Sequence, residues 1–297
     1  MQHFKQHINR QIERNAGKNI FAGRDGLFRF IELPDSLVQD LRFMSKNEES
    51  RLIDHIINRS LAEFYRLNQF YYFSNRDKKM LRSIYVSLLQ NIKTDDDLSV
   101  YEETHYDKLS KWLAETNPFA PKLYNAKKET LQKVVCEEYN ALLQLDLLHI
   151  DLNNIKQPVL DIGCGKNGEL VDFLRKSGIE AFGFDRCITN TEFCKDADWF
   201  DYHYGNEKWG TIISNLGFSN HFNHHHLRSD GNYVAYAQTY MQILHSLKSG
   251  GTFHYAPGLP FIEKFLDKEK YDTYTYNVFN SDYKATVVKR NSHKTPN

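Results

Sequence analysis

The sequence predicts an α/β fold in which a mainly helical N-terminal domain, residues 1–120, precedes a C-terminal domain, residues 121–297, built on a mostly parallel sheet. Two patterns carry this prediction. Apolar residues recur at helical spacing over residues 36–115, and from Pro158 onward short apolar runs alternate with helical segments. Between these regions, two prolines within residues 116–121 disfavour helix in the residues before them, which indicates a domain boundary.

The composition is that of a chain with a sizeable core and no excess of either charge. Of the 297 residues, 41% are hydrophobic, and 38 Lys and Arg balance 38 Asp and Glu. Neither predicted domain is basic, so no large phosphate-binding surface and no clear nucleic-acid partner are expected. The N-terminus is polar and no long apolar run follows, which predicts neither a secretory signal nor a membrane span. Four cysteines without CxxC spacing favour a reducing, cytoplasmic setting.

Capping residues and periodicity predict the helices of the N-terminal domain. Ser45 and Glu48 form a potential capping box, so a helix should begin there and run through Leu67. Further helices are predicted over residues 78–90 and 106–115 and, leading into the second domain, over residues 127–148. The polar segment 94–99 is typical of a turn.

Short apolar runs predict the strands of the C-terminal domain. Four of them alternate with helical segments: Val159–Ile162, Ala181–Phe184, Thr211–Ser214 and Thr252–Tyr255. Two more, Tyr271–Phe279 and Lys284–Lys289, flank the turn-prone residues 280–282 and should form a strand pair. The alternation is typical of βαβ units.

A glycine-rich loop follows the first predicted strand. Gly163, Gly165 and Gly168 form a GxGxxG pattern, and a helix is predicted over residues 169–176. Glycine is needed where the backbone turns sharply and approaches a ligand, and the helix N-terminus behind it favours a negatively charged group. The pattern alone is compatible with both a dinucleotide and S-adenosyl-L-methionine.

Two acidic residues near the loop favour one of these cofactors. Asp161 precedes Gly163 by two residues, and a carboxylate there would repel a pyrophosphate but attract the ammonium and sulfonium of S-adenosyl-L-methionine. Asp185 closes the second predicted strand, where an acidic side chain can accept hydrogen bonds from the ribose hydroxyls of either cofactor. The pair therefore favours the methyl donor.

From here the sequence resembles a known family. Val-Leu-Asp-Ile-Gly-Cys-Gly resembles motif I of the class I methyltransferases, and the resemblance extends over about residues 127–297. The later matches follow in the family's order: Phe184-Asp185 as the end of the second strand, Asp198-Trp199 against the adenine, Trp209–Asn215 as the fourth strand, and Leu247–Gly251 as the turn before the fifth strand. Ser249 replaces the proline usual in that turn.

The resemblance implies a fold, a cofactor and a set of residues. The fold is a Rossmann-like seven-stranded methyltransferase sheet, mostly parallel with an antiparallel last strand, and the cofactor is S-adenosyl-L-methionine. The implied cofactor-binding residues are Asp161, Gly163, Cys164, Gly165, Asp185, Arg186, Asp198, Trp199 and Asn215. The N-terminal domain resembles no family, but additions before this core often cover the acceptor pocket, and that role is expected here.

A polar segment with four histidines, residues 214–227, follows the fourth predicted strand. A loop at the carboxyl end of the sheet should border the transferred methyl group. A histidine with a pKa near neutrality can remove a proton from the acceptor, so His221 is the predicted base, and Tyr255 should line the acceptor pocket. Metal binding by these histidines and a merely solvated loop stay open, but no metal ligand is assigned because three adjacent histidines cannot easily converge on one ion.

The predicted function is O-methylation of a small molecule or peptide. Asn215-Leu-Gly-Phe218 weakly resembles the Asn-Pro-Pro-aromatic motif of enzymes that methylate amino groups, although both prolines are missing. N-methylation of a nucleobase or amine is therefore the main alternative. A non-catalytic S-adenosylmethionine-binding protein and a nicotinamide-dependent oxidoreductase also remain open.

Overall fold

The computed structural model describes residues 1–22, 30, 34–94, 99–124, 140–278 and 284–292. The chain forms two compact units, which divide after Val135 instead of after residue 120. The reason is that three residues near the predicted boundary, Phe119, Ala120 and Tyr124, pack in the core of the first unit. The nearby Pro121 lies in the first turn of a short helix and so does not end the unit.

The described part of the N-terminal unit is helical, as predicted. Its helices are α1 (Gln2–Asn15), α2 (Asp35–Arg42), α3 (Lys46–Leu67), α4 (Asn75–Thr94), α5 (Ser99–Thr116) and α6 (Ala120–Leu123). The capping box before α3 is confirmed, since Glu48 N donates to Ser45 Oγ and Ser45 N donates to Glu48 Oε2. Ser74 and Asp77 form a second such pair, which starts α4 earlier than the periodicity indicated. Residues 95–98 of the predicted turn lie outside the described residues.

The C-terminal unit is built on one seven-stranded sheet. Its strands are β1 (Val159–Ile162), β2 (Ala181–Asp185), β3 (Cys194–Asp196), β4 (Trp209–Asn215), β5 (Leu247–Ala256), β6 (Tyr271–Asn277) and β7 (Lys284–Arg290). Their order is β3-β2-β1-β4-β5-β7-β6, and β7 pairs antiparallel with both β5 and β6 while the remaining pairs are parallel. The predicted Rossmann-like sheet is therefore confirmed. Sequence patterns missed β3 because it has three residues, two of them exposed.

The helices of this unit include two departures from prediction. They are α7 (Ala141–Leu147), α8 (Glu169–Lys176), α9 (Phe218–His226), α10 (Tyr233–His245) and α11 (Pro260–Glu263). The helix predicted over residues 127–148 does not run through Asn140, whose side chain caps α7 by accepting from Leu143 N; residues 125–139 lie outside the described part. The polar segment after β4, predicted as a loop, is helix α9, because Phe218 and Phe222 bury one face of it.

Two further predictions concern the turn at residues 280–282 and the possibility of a membrane span. The turn at residues 280–282, with Phe279, lies outside the described residues. Within the described ranges, no helix combines the length and the apolar character that a membrane span requires.

Candidate active site

The glycine loop between β1 and α8 is held against the end of β2. The backbone amides of Gly163 and Cys164 both donate to the carbonyl oxygen of Phe184, at 2.9 and 3.1 Å. Gly163 and Gly165 have φ angles of +78° and +74°, in the left-handed region that residues with a Cβ rarely adopt. The sequence pattern therefore reflects a conformational need, and the loop exposes backbone that a ligand can approach.

Asp185, the predicted ribose-binding residue, also fastens this loop. Its Oδ2 accepts from the amide of Gly165 at 3.2 Å, and its Oδ1 accepts from the amide of Cys187 at 2.8 Å. A carboxylate can accept about four hydrogen bonds, so ribose hydroxyls can share this group with the loop amides. The structure thus places Asp185 at the loop where the sequence predicted it.

Asp161 is buried within the sheet beneath the same loop. It lies on β1 in register with Gly183 of β2 and Ile213 of β4, and it is only 2% exposed. Burial, with smaller contributions from the neighbouring Cys194 and Asp185, raises its pKa to about 8. Among the residues that the structure describes, no positive charge offsets these effects, so a cation brought to this carboxyl group would be attracted and would lower its pKa.

Predicted residues from three segments of the chain meet around Trp199, which lies beside Gly163. A Cβ built on Gly163 would lie 3.6 Å from a ring carbon of Trp199. The His221 ring packs edge-on against Trp199 at 4.7 Å between centroids, and the guanidinium of Arg186 lies 5.9 Å from the same ring. Asp198 is also buried, and it accepts from the amide of Phe200 at 3.1 Å. The strand order therefore brings together residues that are far apart in sequence.

Several buried polar atoms around this point have no hydrogen-bond partner in the described part of the chain. They are Trp199 Nε1, Asn215 Oδ1, Ser219 Oγ and His225 Nε2. A buried polar atom left without a partner costs about 1–3 kcal/mol, so such a group marks a place where a polar ligand fits. Three of these residues stand at the end of β4 or on α9, and all four lie near the carboxyl ends of the strands, where α/β sheets bind ligands.

The donor or acceptor character of these atoms is defined. Asn215 Oδ1 can only accept and Trp199 Nε1 can only donate. The Nδ1 of His225 accepts from the amide of Asn232 at 3.1 Å, so the neutral ring carries its proton on Nε2, which is a donor. Sequence reasoning missed Ser219 and His225, although the spacing of His221 and His225 predicts one helical face once α9 is recognised.

His221 lies in the site but not in the expected electrostatic environment. It is 3% exposed, and burial lowers its pKa well below the usual range, with further lowering from Arg186 and the neighbouring histidines. The pKa of His221 is therefore well below the near-neutral value that the sequence analysis expected. His221 is neutral at physiological pH and is a weaker base than predicted.

Tyr255 lies in the core of the unit. Its side chain is fully buried, its hydroxyl donates to Glu263 Oε1 at 2.6 Å, and the hydroxyl of Tyr240 lies 2.9 Å away. The sequence analysis predicted that Tyr255 lines the acceptor pocket. The structure instead places its side chain in the core of the unit. The partner Glu263 stands on α11, which the sequence patterns did not reveal.

The remaining histidines of α9 point to different neighbours. His225 stacks on Tyr236 and His226 stacks on Phe261, with centroid distances of 4.9 and 3.7 Å. Within the described residues, no group of three or more His, Cys, Asp or Glu side chains is placed to hold a metal ion.

Cys164 has a packing position in the loop. A Cβ built on Gly183 of β2 would lie 2.9 Å from Cys164 Sγ and 2.7 Å from Val171 of α8. Gly183 is therefore needed for close packing of the loop and α8 on the sheet, a role that the GxGxxG pattern did not point to.

No family model and no curated protein matches this chain. Solved structures that resemble it include an S-adenosylmethionine-dependent methyltransferase from Mesorhizobium loti, with 20% identity and a TM-score of 0.24, covering 33% of this chain and 44% of that one. A candidate methyltransferase from Streptococcus mutans in complex with SAH has 16% identity and a TM-score of 0.34, covering 52% and 99%. A 1,6-didemethyltoxoflavin-N1-methyltransferase from Burkholderia thailandensis, with bound S-adenosylhomocysteine, has 15% identity and a TM-score of 0.33, covering 50% and 76%. With identities and TM-scores this low, these likenesses carry no argument, and the fold rests on the strand order.

Proposed function

We propose that this chain is an S-adenosylmethionine-dependent methyltransferase whose C-terminal unit binds the cofactor over the Gly163–Gly168 loop. The observation that carries the proposal is the buried carboxyl group of Asp161 beneath that loop, with a pKa of about 8. The ammonium and sulfonium of S-adenosylmethionine would supply the missing positive charge, whereas a dinucleotide would bring a pyrophosphate of the wrong sign. When bound, this cofactor supplies an electrophilic methyl group.

The chain's own residues fit the rest of the cofactor. Asp185 keeps acceptor capacity for ribose hydroxyls, and the backbone at Gly163 and Gly165 can be approached closely. Asp198 and Trp199 would hold the adenine, and the unpaired Nε1 of Trp199 is a buried donor in that position. The proposed fit therefore depends on the carboxyl group of Asp161, on the close approach allowed at Gly163 and on the buried donor of Trp199.

For the acceptor we propose a hydroxyl or acid group of a small molecule or peptide, with His221 accepting its proton. Burial keeps the His221 ring neutral at physiological pH, and a neutral ring has one nitrogen that can take up a proton. The lowered pKa also makes the ring a weak base. A phenol or carboxylic acid, which gives up a proton easily, suits this base better than an alkyl alcohol does.

A second candidate is methylation of a nitrogen. Asn215 Oδ1 is a buried acceptor with no partner among the described residues, at the end of β4. An amine or amide acceptor would supply N–H donors to it, and this bond would position the nitrogen without any base. This observation favours an N–H acceptor over one that lacks a proton.

Calorimetric titration of the purified protein tests the cofactor. The wild type should bind S-adenosylmethionine and S-adenosylhomocysteine but not NAD. Asp161→Asn should weaken S-adenosylmethionine binding by about tenfold or more, because a charge-assisted contact is lost, while the exposed control Asp201→Asn should bind normally. The loss should be smaller for S-adenosylhomocysteine, which lacks the sulfonium charge. Binding of NAD instead of either sulfur compound would contradict the proposal.

Proton release gives a sharper signature of Asp161. Because the carboxyl group is largely protonated near pH 7, the approach of a cation should lower its pKa and release a proton. Titrations in two buffers of different ionisation enthalpy should detect this proton in the wild type and not in Asp161→Asn.

A turnover screen with phenols, carboxylic acids and amines separates the acceptor classes. With a hydroxyl or acid acceptor, His221→Ala should lower kcat by about 100-fold, the usual size of general-base catalysis, and Asn215→Ala should do less. With an amine acceptor the order of the two variants should reverse. Tight cofactor binding without turnover of any acceptor would favour a non-catalytic binding protein.

A further inference from the structure

The N-terminal unit contains a cavity of about 200 Å³, partly open to solvent, between α1, α2, α3, α4 and α5. Protein interiors are close-packed, and voids much larger than a water molecule are few. An engineered apolar cavity of roughly 150 Å³ in another protein holds benzene. The cavity of this unit is therefore large enough for an organic molecule somewhat bigger than one ring.

Most of the cavity wall is apolar and comes from core side chains. Leu52 and Ile56 of α3, Leu89 of α4 and Leu109 of α5 line it, and all four side chains are buried. A wall of this kind favours an apolar occupant, since water there would find few hydrogen-bond partners.

One polar side chain on the wall has no hydrogen bond within the described part of the chain. His105 is 6% exposed, lines the cavity, and packs against the rings of Phe30, Tyr85 and Tyr106 at centroid distances of 5.8, 5.2 and 5.5 Å. Burial lowers its pKa to about 3, so the ring is neutral and offers one donor and one acceptor. A ligand with one polar group would satisfy it.

The other polar groups of the wall already have partners. The hydroxyls of Ser60 and Tyr85 are 2.8 Å apart, and the hydroxyl of Tyr106 accepts from Gln11 and Asn15 at 3.0 Å each. The two charged wall residues are each partly exposed, and they are engaged elsewhere: Lys18 Nζ donates to Asn15 Oδ1, and Glu63 pairs with Arg66. The interior therefore offers no counter-charge, which disfavours an ionised ligand.

We infer that the N-terminal unit binds a neutral, largely apolar compound of one or two fused rings in this cavity, with one hydroxyl or N–H group of the compound hydrogen-bonded to His105. The inference does not depend on the proposed methyl transfer, because every group that carries it belongs to the helical unit.

The first experiment measures binding of 2-naphthol and naphthalene to the full-length protein, by ligand fluorescence. Both should bind saturably at one site, and 2-naphthol should bind about fivefold more tightly because it can hydrogen-bond to His105. In His105→Phe this preference should disappear while naphthalene affinity is kept. Equal affinity of the two compounds for the wild type, or a preference that survives His105→Phe, would overturn the role of His105.

A second variant locates the site. Ile56→Trp should fill the cavity and reduce binding of both compounds at least about tenfold, whereas Asn58→Trp, at an exposed position of the same helix, should not. Leu109→Phe serves the same purpose if Ile56→Trp does not fold. Undiminished binding in a folded filling variant, or no saturable binding to the wild type, would overturn the inference.

Discussion

A comparison of one buried ionisable side chain from each unit shows that burial moves pKa values in opposite directions for an imidazole and a carboxyl group. In the helical unit, burial lowers the pKa of His105 to about 3. In the α/β unit, burial raises the pKa of Asp161 to about 8. Burial is the largest cause in both cases, and both groups are driven toward their neutral forms.

The difference between the units lies in what surrounds each group. His105 faces an apolar cavity lined by side chains, where a neutral ring compound would complete its hydrogen bonding. Asp161 lies in a sheet beneath a loop of exposed backbone, where the approach of a cation would restore its charge. The same desolvation cost therefore marks two sites with different ligand preferences, one neutral and one positively charged.

The largest expected effect is the pH dependence that Asp161 imposes on the α/β unit. Its folded pKa is raised, so the folded state holds a proton that the unfolded state releases above about pH 4, and stability falls as pH rises through the window up to about pH 8. At roughly 1.4 kcal/mol per pKa unit, the loss is at most about 6 kcal/mol. Urea unfolding of the wild type and Asp161→Asn across this window should show equal stability near pH 4 and an increasing deficit of the wild type above it. A constant difference at all pH values would contradict the raised pKa.

His105 should produce the opposite dependence in the helical unit. Its folded pKa is lowered, so its contribution is intact above about pH 6.5 and is lost as pH falls toward 3. The loss is at most about 5 kcal/mol, from the same energy per pKa unit. Hydrogen exchange of α3 and α4 should report acid destabilisation in the wild type that His105→Phe reduces. His3→Phe, at an exposed position, is the matched control, and an equal reduction there would rule out burial as the cause.

A smaller difference is expected between glycine-to-alanine substitutions in the two units. A Cβ on Gly210 of β4 would lie 2.4 Å from the carbonyl oxygen of Lys156, so Gly210→Ala requires the backbone to shift and should cost about 3 kcal/mol. Gly17 of the helical unit has open space around it and a φ of +78°, so Gly17→Ala should cost only about 1 kcal/mol from backbone strain.

Hydrogen exchange locates these two losses. Gly210→Ala should accelerate exchange in β1 and β4 and leave α3 unchanged, because the damaged packing belongs to the sheet. Equal acceleration in both units would show that they unfold as one cooperative block.

The parts of the fold that the sequence predicted are those set by local patterns. The capping box of Ser45 and Glu48 marked the start of α3, and the GxGxxG pattern marked both ends of the turn into α8. The acids beside that loop are close to it in sequence or end the neighbouring strand, so Asp161 and Asp185 were placed correctly relative to it.

The parts that the sequence did not predict depend on tertiary packing. Helix α9 was masked by its histidines and asparagines, since its two buried aromatics are too few for a clear apolar stripe. The hydroxyl of Tyr255 is directed into the core by Glu263, a residue on a four-residue helix with no pattern of its own. The cavity around His105 arises where five helices meet, so no single segment encodes it.

The smallest effects compare one buried tyrosine hydroxyl in each unit. Tyr255 bonds to Tyr240 and to the carboxylate of Glu263, whereas Tyr85 bonds only to Ser60. Because hydrogen bonds to charged groups are worth more than neutral ones, Tyr255→Phe should lower the free energy of unfolding by about 2 kcal/mol and Tyr85→Phe by about 1 kcal/mol, both measured by urea unfolding. If Tyr255 is a core residue, Tyr255→Phe should also leave cofactor affinity and the KM of an acceptor unchanged. A rise in KM without a loss of stability would instead return Tyr255 to the acceptor pocket.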